Sequence, residues 1–269
     1  MVATFVRLLA ASLLALPAIV SAVPSPTTTA LTNPLGLSLN DISYALEPPA
    51  PIHSPETNAQ RLKRGLPPKP PVRRTNRALQ PRASPPPLPV APTGYIKVVS
   101  SSQTGYVSAR ANSFGEYGYT ANLDEALKVT LLNTAGSPFD VVALNGIAEF
   151  PTLGFIKGFA STNSDLHTGS HNYAYLGGVT PTPPGSPALV LPNSFSSASG
   201  VPEGVESAVW SLGTDGQLKP SWVNTDGGKP PIWIMYVDGA AAYAISGDPP
   251  AFGNAFGDYA ISTFWFESI

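Results

Sequence analysis

The chain has no cysteine. That absence excludes thiol nucleophiles, thiolate metal sites and disulfide staples together, so whatever folds here must be held by burial alone. No Asn-x-Ser/Thr triplet occurs after the first 22 residues, which removes N-glycosylation as a means of keeping the chain soluble. A Gly-x-Ser-x-Gly elbow and a phosphate-cradling Gly-x-x-x-x-Gly-Lys-Ser/Thr loop are both lacking. Histidine is scarce, with three in the whole chain. Beyond the N-terminus no stretch is apolar enough to reach the roughly 20 residues that a membrane-spanning helix needs.

The residues that are present divide the chain into three pieces. Arg7, the apolar run Leu8 to Val20 and the small residues ending at Ala22 have the order of a secretion signal cleaved after Ala22. The run is too short for an anchor, is broken by Pro17 and is succeeded by Pro24 and Pro26. An extracellular protein is therefore expected, with no membrane association after cleavage. Residues 23–92 are rich in Pro, Ser, Thr and Arg, and their apolar residues keep neither a helical nor a strand period, so a disordered proline-rich basic spacer or propeptide is expected. It contains two dibasic pairs, Lys63-Arg64 and Arg73-Arg74, at which a protease specific for such pairs would release it. The plainer alternative is a basic linker that stays attached.

Charge separates the spacer from the C-terminal segment. Eight basic residues and no acidic one lie between Arg61 and Arg82, whereas from Thr93 onward six basic residues face fourteen acidic ones. A domain of that sign repels phosphate backbones, so nucleic acid is not an expected partner.

From Gly94 the texture changes to short β-type runs between Gly, Asn, Asp, Ser and Pro, the spacing of an all-β domain over 93–269. The expected architecture is an antiparallel β-sandwich, jelly-roll-like, with one short helix. Strands are expected at Tyr95 to Ser100, Gly105 to Arg110, Leu127 to Leu132 and Phe139 to Leu144, and few between Gly146 and Ser199. The C-terminal third reads as a meander of five strands, with Asp215-Gly216, Asp226-Gly227 and Asp238-Gly239 at the first three joins. Asp248-Pro249 has the pattern of a helix cap, Phe252 and Phe256 share one face, and Gly257 closes the turn.

Four motifs, Gly115-Glu116-Tyr117-Gly118, Asn172 to Gly178, Glu206 to Trp210 and Trp222 to Gly227, resemble those of a group of uncharacterised secreted proteins from mushroom-forming fungi. The resemblance implies an extracellular fungal origin and the same layout of signal, proline-rich spacer and cysteine-poor domain. It implies no activity.

Three constellations bear on chemistry. If Asp226-Gly227-Gly228 turns one strand into the next, Trp222 and Trp233 face one another, and Trp222 with Asn224, Asp226 and Tyr236 would form a platform on which sugar rings stack. Trp210 and Trp233 read better as core, Trp222 as partly exposed. Asp165, His167 and His171 share a loop and would supply three metal ligands, although two solvated loop histidines explain them as well. Glu203 and Glu206 are the nearest approach to a paired carboxylate for hydrolysis. No cofactor is implied. The leading expectation is a secreted, non-catalytic domain that binds polysaccharide. A hydrolase using Glu203 and Glu206, and an interaction protein releasing a proline-rich peptide, are the alternatives. Nothing in the sequence fixes an oligomeric state.

Overall fold

The structure, a computed structural model, describes residues 31–34, 43–44, 58–69, 91–134, 136 and 138–269. Ala22, Arg73 and Arg74, and with them the proposed signal cleavage and second dibasic site, lie outside the described residues.

Alternating burial along the first strands is the pattern that short runs of Val, Ile, Tyr and Thr impose on a pleat with one face inward. Among the described residues fourteen strands succeed one another: β1 Thr93–Ser100, β2 Thr104–Ala111, β3 Tyr117–Thr120, β4 Lys128–Leu131, β5 Val141–Ala143, β6 Thr152–Lys157, β7 Tyr173–Val179, β8 Leu189–Val190, β9 Gly204–Glu206, β10 Trp210–Leu212, β11 Gln217–Pro220, β12 Trp233–Val237, β13 Ala242–Ser246 and β14 Tyr259–Ser268. The helices are α1 Asn58–Lys63, α2 Ser194–Ser199 and α3 Pro249–Phe256.

The all-β class is as expected, but the sheet is not a sandwich. The strands run β14-β12-β13-β7-β6-β5-β4-β1, and β1 then pairs antiparallel with β14 from Gly94↔Ser268 to Ser100↔Ser262, closing an eight-stranded barrel. Eight strands leave an interior just wide enough for side chains to fill. Ile96, Val98, Val129, Leu131, Leu153, Phe155, Leu176, Tyr243, Ile245 and Phe264 fill it.

Several strands are buried on their outer face too, which is why their sequences fail to alternate. On β7, β12 and β13, Ala174, Leu176, Ile234, Tyr243 and Ile245 belong to the main core, while Tyr173, Tyr175, Met235, Val237, Ala242 and Ala244 pack outward with Phe252 and Phe256 of α3. The helix expected after Asp248 is present. The Asp248 Oδ1 accepts from the Ala251 N–H at 3.0 Å, and Gly257 takes φ 97°. A second helix, α2, covers another outward patch, packing Phe195 on Ile156, Val179 and Val205. It starts at an Asn193 cap within the stretch expected to be mostly loop.

The C-terminal third departs from a meander at one point. Asp215-Gly216 lies in the β10–β11 hairpin and Asp238-Gly239 in the β12–β13 hairpin, but β11 and β12 do not pair with each other: both lie along the edge of β14 opposite β1, β12 against Tyr259 to Ser262 and β11 against Phe264 and Trp265. The Asp226-Gly227 corner therefore does not join neighbouring strands, and Trp233 pairs with Ser246 rather than with Trp222. At the third join the residue with positive φ is Ala241, at 53°, not Gly239.

The spacer touches the domain. Residues 31–34 lie against the end of β7 and the turn before β3, and Ser43 and Tyr44 pair with Ile147 and Ala148. Lys63-Arg64 is exposed, but Lys63 is the last residue of α1, inside the spacer expected to be disordered.

Candidate functional site

The loop between β6 and β7 decides which aromatic side chains are available. It is fastened at four places: the Trp222 Nε1–H donates to the Ser164 carbonyl at 2.7 Å, and the Asn224 amide exchanges two bonds with the Leu166 backbone at 2.9 and 3.0 Å. The Thr225 N–H and hydroxyl both donate to the Asp165 carboxylate, at 2.7 and 2.8 Å, and the Gly169 N–H donates to the Asp248 carboxylate at 2.7 Å. The loop thereby lies across Trp222, which is fully buried.

This overturns the platform built on Trp222. An indole with no accessible surface offers no face to a sugar ring. Asn224 is occupied in pinning Leu166, and the Asp226 carboxylate accepts from the Gly228 N–H inside its own turn at 2.7 Å. Tyr236 packs edge-on against Tyr119 and Tyr243, with its hydroxyl held above the usual phenol range by burial and, less, by nearby Asp238. Trp210 is core, as expected. It is fully buried between Phe155 and Phe264, with its Nε1–H donating to the Leu153 carbonyl at 2.8 Å.

Trp233, expected in the core, is 41 % exposed. It begins the outward row Trp233, Met235, Val237 on β12; α3 seals Met235 and Val237 and leaves the indole uncovered. Trp233 instead forms one wall of a groove of about 530 Å3. Tyr259 and Ile261 of β14 and Pro249 and Pro250 of α3 extend the apolar lining, and Thr168 and Asp248 add polar groups. The Asp248 carboxyl is lowered by the N–H groups of Gly169 and Ala251, so its negative charge is well kept.

The other two constellations come apart. Asp165 is bound to Thr225, the His167 ring lies 2.9 Å from the Thr168 carbonyl, and His171 packs edge-on to Phe256. Among the described residues no three of His, Asp and Glu converge as a metal site. Glu203 forms an ion pair with Lys157 at 2.8 Å, and burial raises its carboxyl despite that partner. Both oxygens of buried Glu206 lie 3.1–3.2 Å from the Val223 N–H, and desolvation pushes it up to about 8. Each carboxylate is thus committed to its own partner, and neither lines the Trp233 groove.

A polar cluster that sequence reasoning missed lies where residues 31–34 meet the barrel. Glu116 is fully buried, and its Oε2 accepts from Asn112 Nδ2 at 2.7 Å and Asn33 Nδ2 at 3.0 Å. Desolvation pushes its carboxyl up to about 7, the two amides offsetting part of the rise. The backbone around it approaches closely because Gly177 faces Glu116 in an antiparallel bridge, where a Cβ would meet Ile156. The visible signal was a Glu inside a Gly-flanked motif, whose glycines mark close backbone approach: a Cβ at Gly115 would meet Ser194 and one at Gly118 the Ala241 carbonyl.

No helix among the described residues is long and apolar enough to cross a membrane. No protein-family model, curated protein or solved structure matches the chain.

Proposed function

We propose that the domain is a secreted, non-catalytic module that holds extracellular or cell-wall glycan chains, and that Trp233, not Trp222, is the stacking residue. The observation that carries this reading is an indole 41 % exposed at the wall of a groove of about 530 Å3. Pyranose rings present apolar C–H faces and a hydroxyl rim. An aromatic wall bordered by a carboxylate and a threonine hydroxyl meets both demands, stacking the face and bonding the rim. The neighbouring Tyr259 and Ile261 widen the apolar strip so that a chain, rather than a single sugar, would lie along it.

Retention of the full chain on insoluble chitin, β-glucan and cellulose tests the reading. Retention on at least one of them, reduced tenfold or more by Trp233→Ala and unchanged by a distant surface substitution such as Lys219→Ala, is expected. Absence of retention on all three, or retention indifferent to Trp233→Ala, would overturn it.

A further inference from the structure

The buried carboxylate of Glu116 has an unusual cover. It is capped by a side chain from the spacer, about 80 positions earlier in sequence, rather than by the domain's own residues alone. Thr32 and Asn33 supply complementary groups: the Asn33 amide donates to Glu116 Oε2 at 3.0 Å, and the Thr32 carbonyl accepts from the Tyr173 hydroxyl at 2.7 Å. Pro34 is buried behind them. The domain's half of the contact is firmly built. Asn112 Oδ1 accepts from the N–H groups of Phe114 and Glu116, while its Nδ2 donates to Glu116 and to the Ala240 carbonyl.

The fit is incomplete on both sides. Glu116 Oε1 and Asn33 Oδ1 are buried without hydrogen-bond partners, and Glu116 is 0 % exposed. Leaving buried polar atoms unpaired is costly, so it marks a site shaped for more than this occupant satisfies. A cleft of about 290 Å3 persists between the docked turn and Asn112, Phe114 and Ala240.

We propose that Asn112, Glu116, Tyr173 and Tyr175 form a peptide-binding site for an extended, amide-bearing segment, and that Thr32–Asn33 of the spacer is its tethered occupant in the uncut chain. This assignment is independent of the Trp233 groove. It rests on the reading of Lys63-Arg64 as a cleavage site. The pair is exposed at the end of a six-residue helix, and a helix that short melts readily to the extended form a protease needs.

Tethering is what makes so small a contact hold. Covalent attachment gives a ligand an effective concentration in about the millimolar range, enough to fill a site of weak intrinsic affinity. The second attachment, where the Ala148 N–H donates to the Ser43 carbonyl and the Tyr44 hydroxyl to the Ala111 carbonyl, keeps the segment close. A cut after Arg64 ends the tether and leaves the fragment held only by these two small non-covalent contacts, from which at micromolar protein it dilutes away. Cleavage becomes the event that opens the site to amide-bearing peptides supplied from outside.

The test uses the full chain cut after Arg64 and passed through size exclusion at micromolar concentration. The N-terminal fragment should separate from the domain. A synthetic peptide with the sequence of residues 29–46 should then shift the amide resonances of Gly115–Gly118 and Tyr173–Gly177 saturably in the cut protein, and leave those of the uncut chain unmoved. The same peptide carrying Asn33→Leu should bind at least tenfold more weakly, a comparison that leaves the domain unaltered. Co-elution of the fragment with the domain would overturn release. Failure of the peptide to shift those amides, or equal binding of the Asn33→Leu peptide, would overturn the site.

Discussion

Trp222 and Trp233 are eleven positions apart and alike in chemistry, yet one has no accessible surface and the other is 41 % exposed. Their own strands do not account for it. Trp222 comes after β11 in a polar neighbourhood of Ser221 and Asn224, whereas Trp233 opens the apolar run of β12. The difference is made by segments remote in sequence. The β6–β7 loop arrives over Trp222 and bonds its indole, and α3 covers the outward row of β12 but stops short of its first residue. Burial is thus a property of what crosses a position, and local hydrophobicity is a weak guide to it.

The contrast breaks hardest at the buried indole. Trp222→Ala removes a fully buried side chain and strands the Ser164 carbonyl, so a loss of about 3–5 kcal/mol is expected in denaturant unfolding. Trp233→Ala, by contrast, should change stability by about 0.5 kcal/mol or less while reducing the proposed glycan retention tenfold or more. Equal destabilisation by the two would mean that both indoles are core.

Asn224→Leu is the next largest expected effect. Its amide satisfies both the N–H and the carbonyl of Leu166, and its loss should cost about 1–3 kcal/mol and expose Trp222 to quenchers in fluorescence.

The pH dependence originates in Glu206, which fixes Val223 beside the buried indole. Its carboxyl is held near 8 in the folded chain, far above the value near 4.5 of an unfolded one. Between those two values the folded state keeps a proton that the unfolded state has released. Its contribution is complete below about pH 4.5 and is lost as pH rises through 8, at up to about 1.4 kcal/mol per pH unit. Glu116, near 7, has the same sign. Unfolding free energies should therefore fall from pH 5 to pH 8, and Glu206→Gln should flatten the slope without reversing it. The smallest effect belongs to Thr225→Val, which removes one exposed hydroxyl bond to Asp165, about 0.5–1 kcal/mol, and should leave the Trp222 emission unchanged.

The features legible in the sequence were those decided within a few residues. The half-buried pattern of Lys128–Leu131, the Asp215-Gly216 hairpin and the Asp248-capped helix with its Phe252 and Phe256 face are all local. β6 and β7 escaped notice because helices and loops cover their outer face, so alternation vanishes, and because Gly154, Gly177 and Gly178 read as loop when they are points of close backbone approach. The placing of β11 and β12 end to end along β14, rather than side by side, left no local mark, and the row of indoles inferred from adjacent hairpins failed with it. The groove residues come from β12, β14, α3 and the β6–β7 loop, so no single window of sequence contained them.

One pairing sets the timetable of folding. The ring is completed only when β1 meets β14, and seven register pairs, from Gly94↔Ser268 to Ser100↔Ser262, join the first strand of the domain to its last. β1 must therefore wait, its far edge unpaired, until nearly the whole domain has been synthesised. Contacts of such long sequence separation place a domain among the slow folders, with closure after synthesis rather than during it. If the chain is secreted, as proposed, that delay would be an asset: a barrel unable to close early would not jam the passage it had to thread.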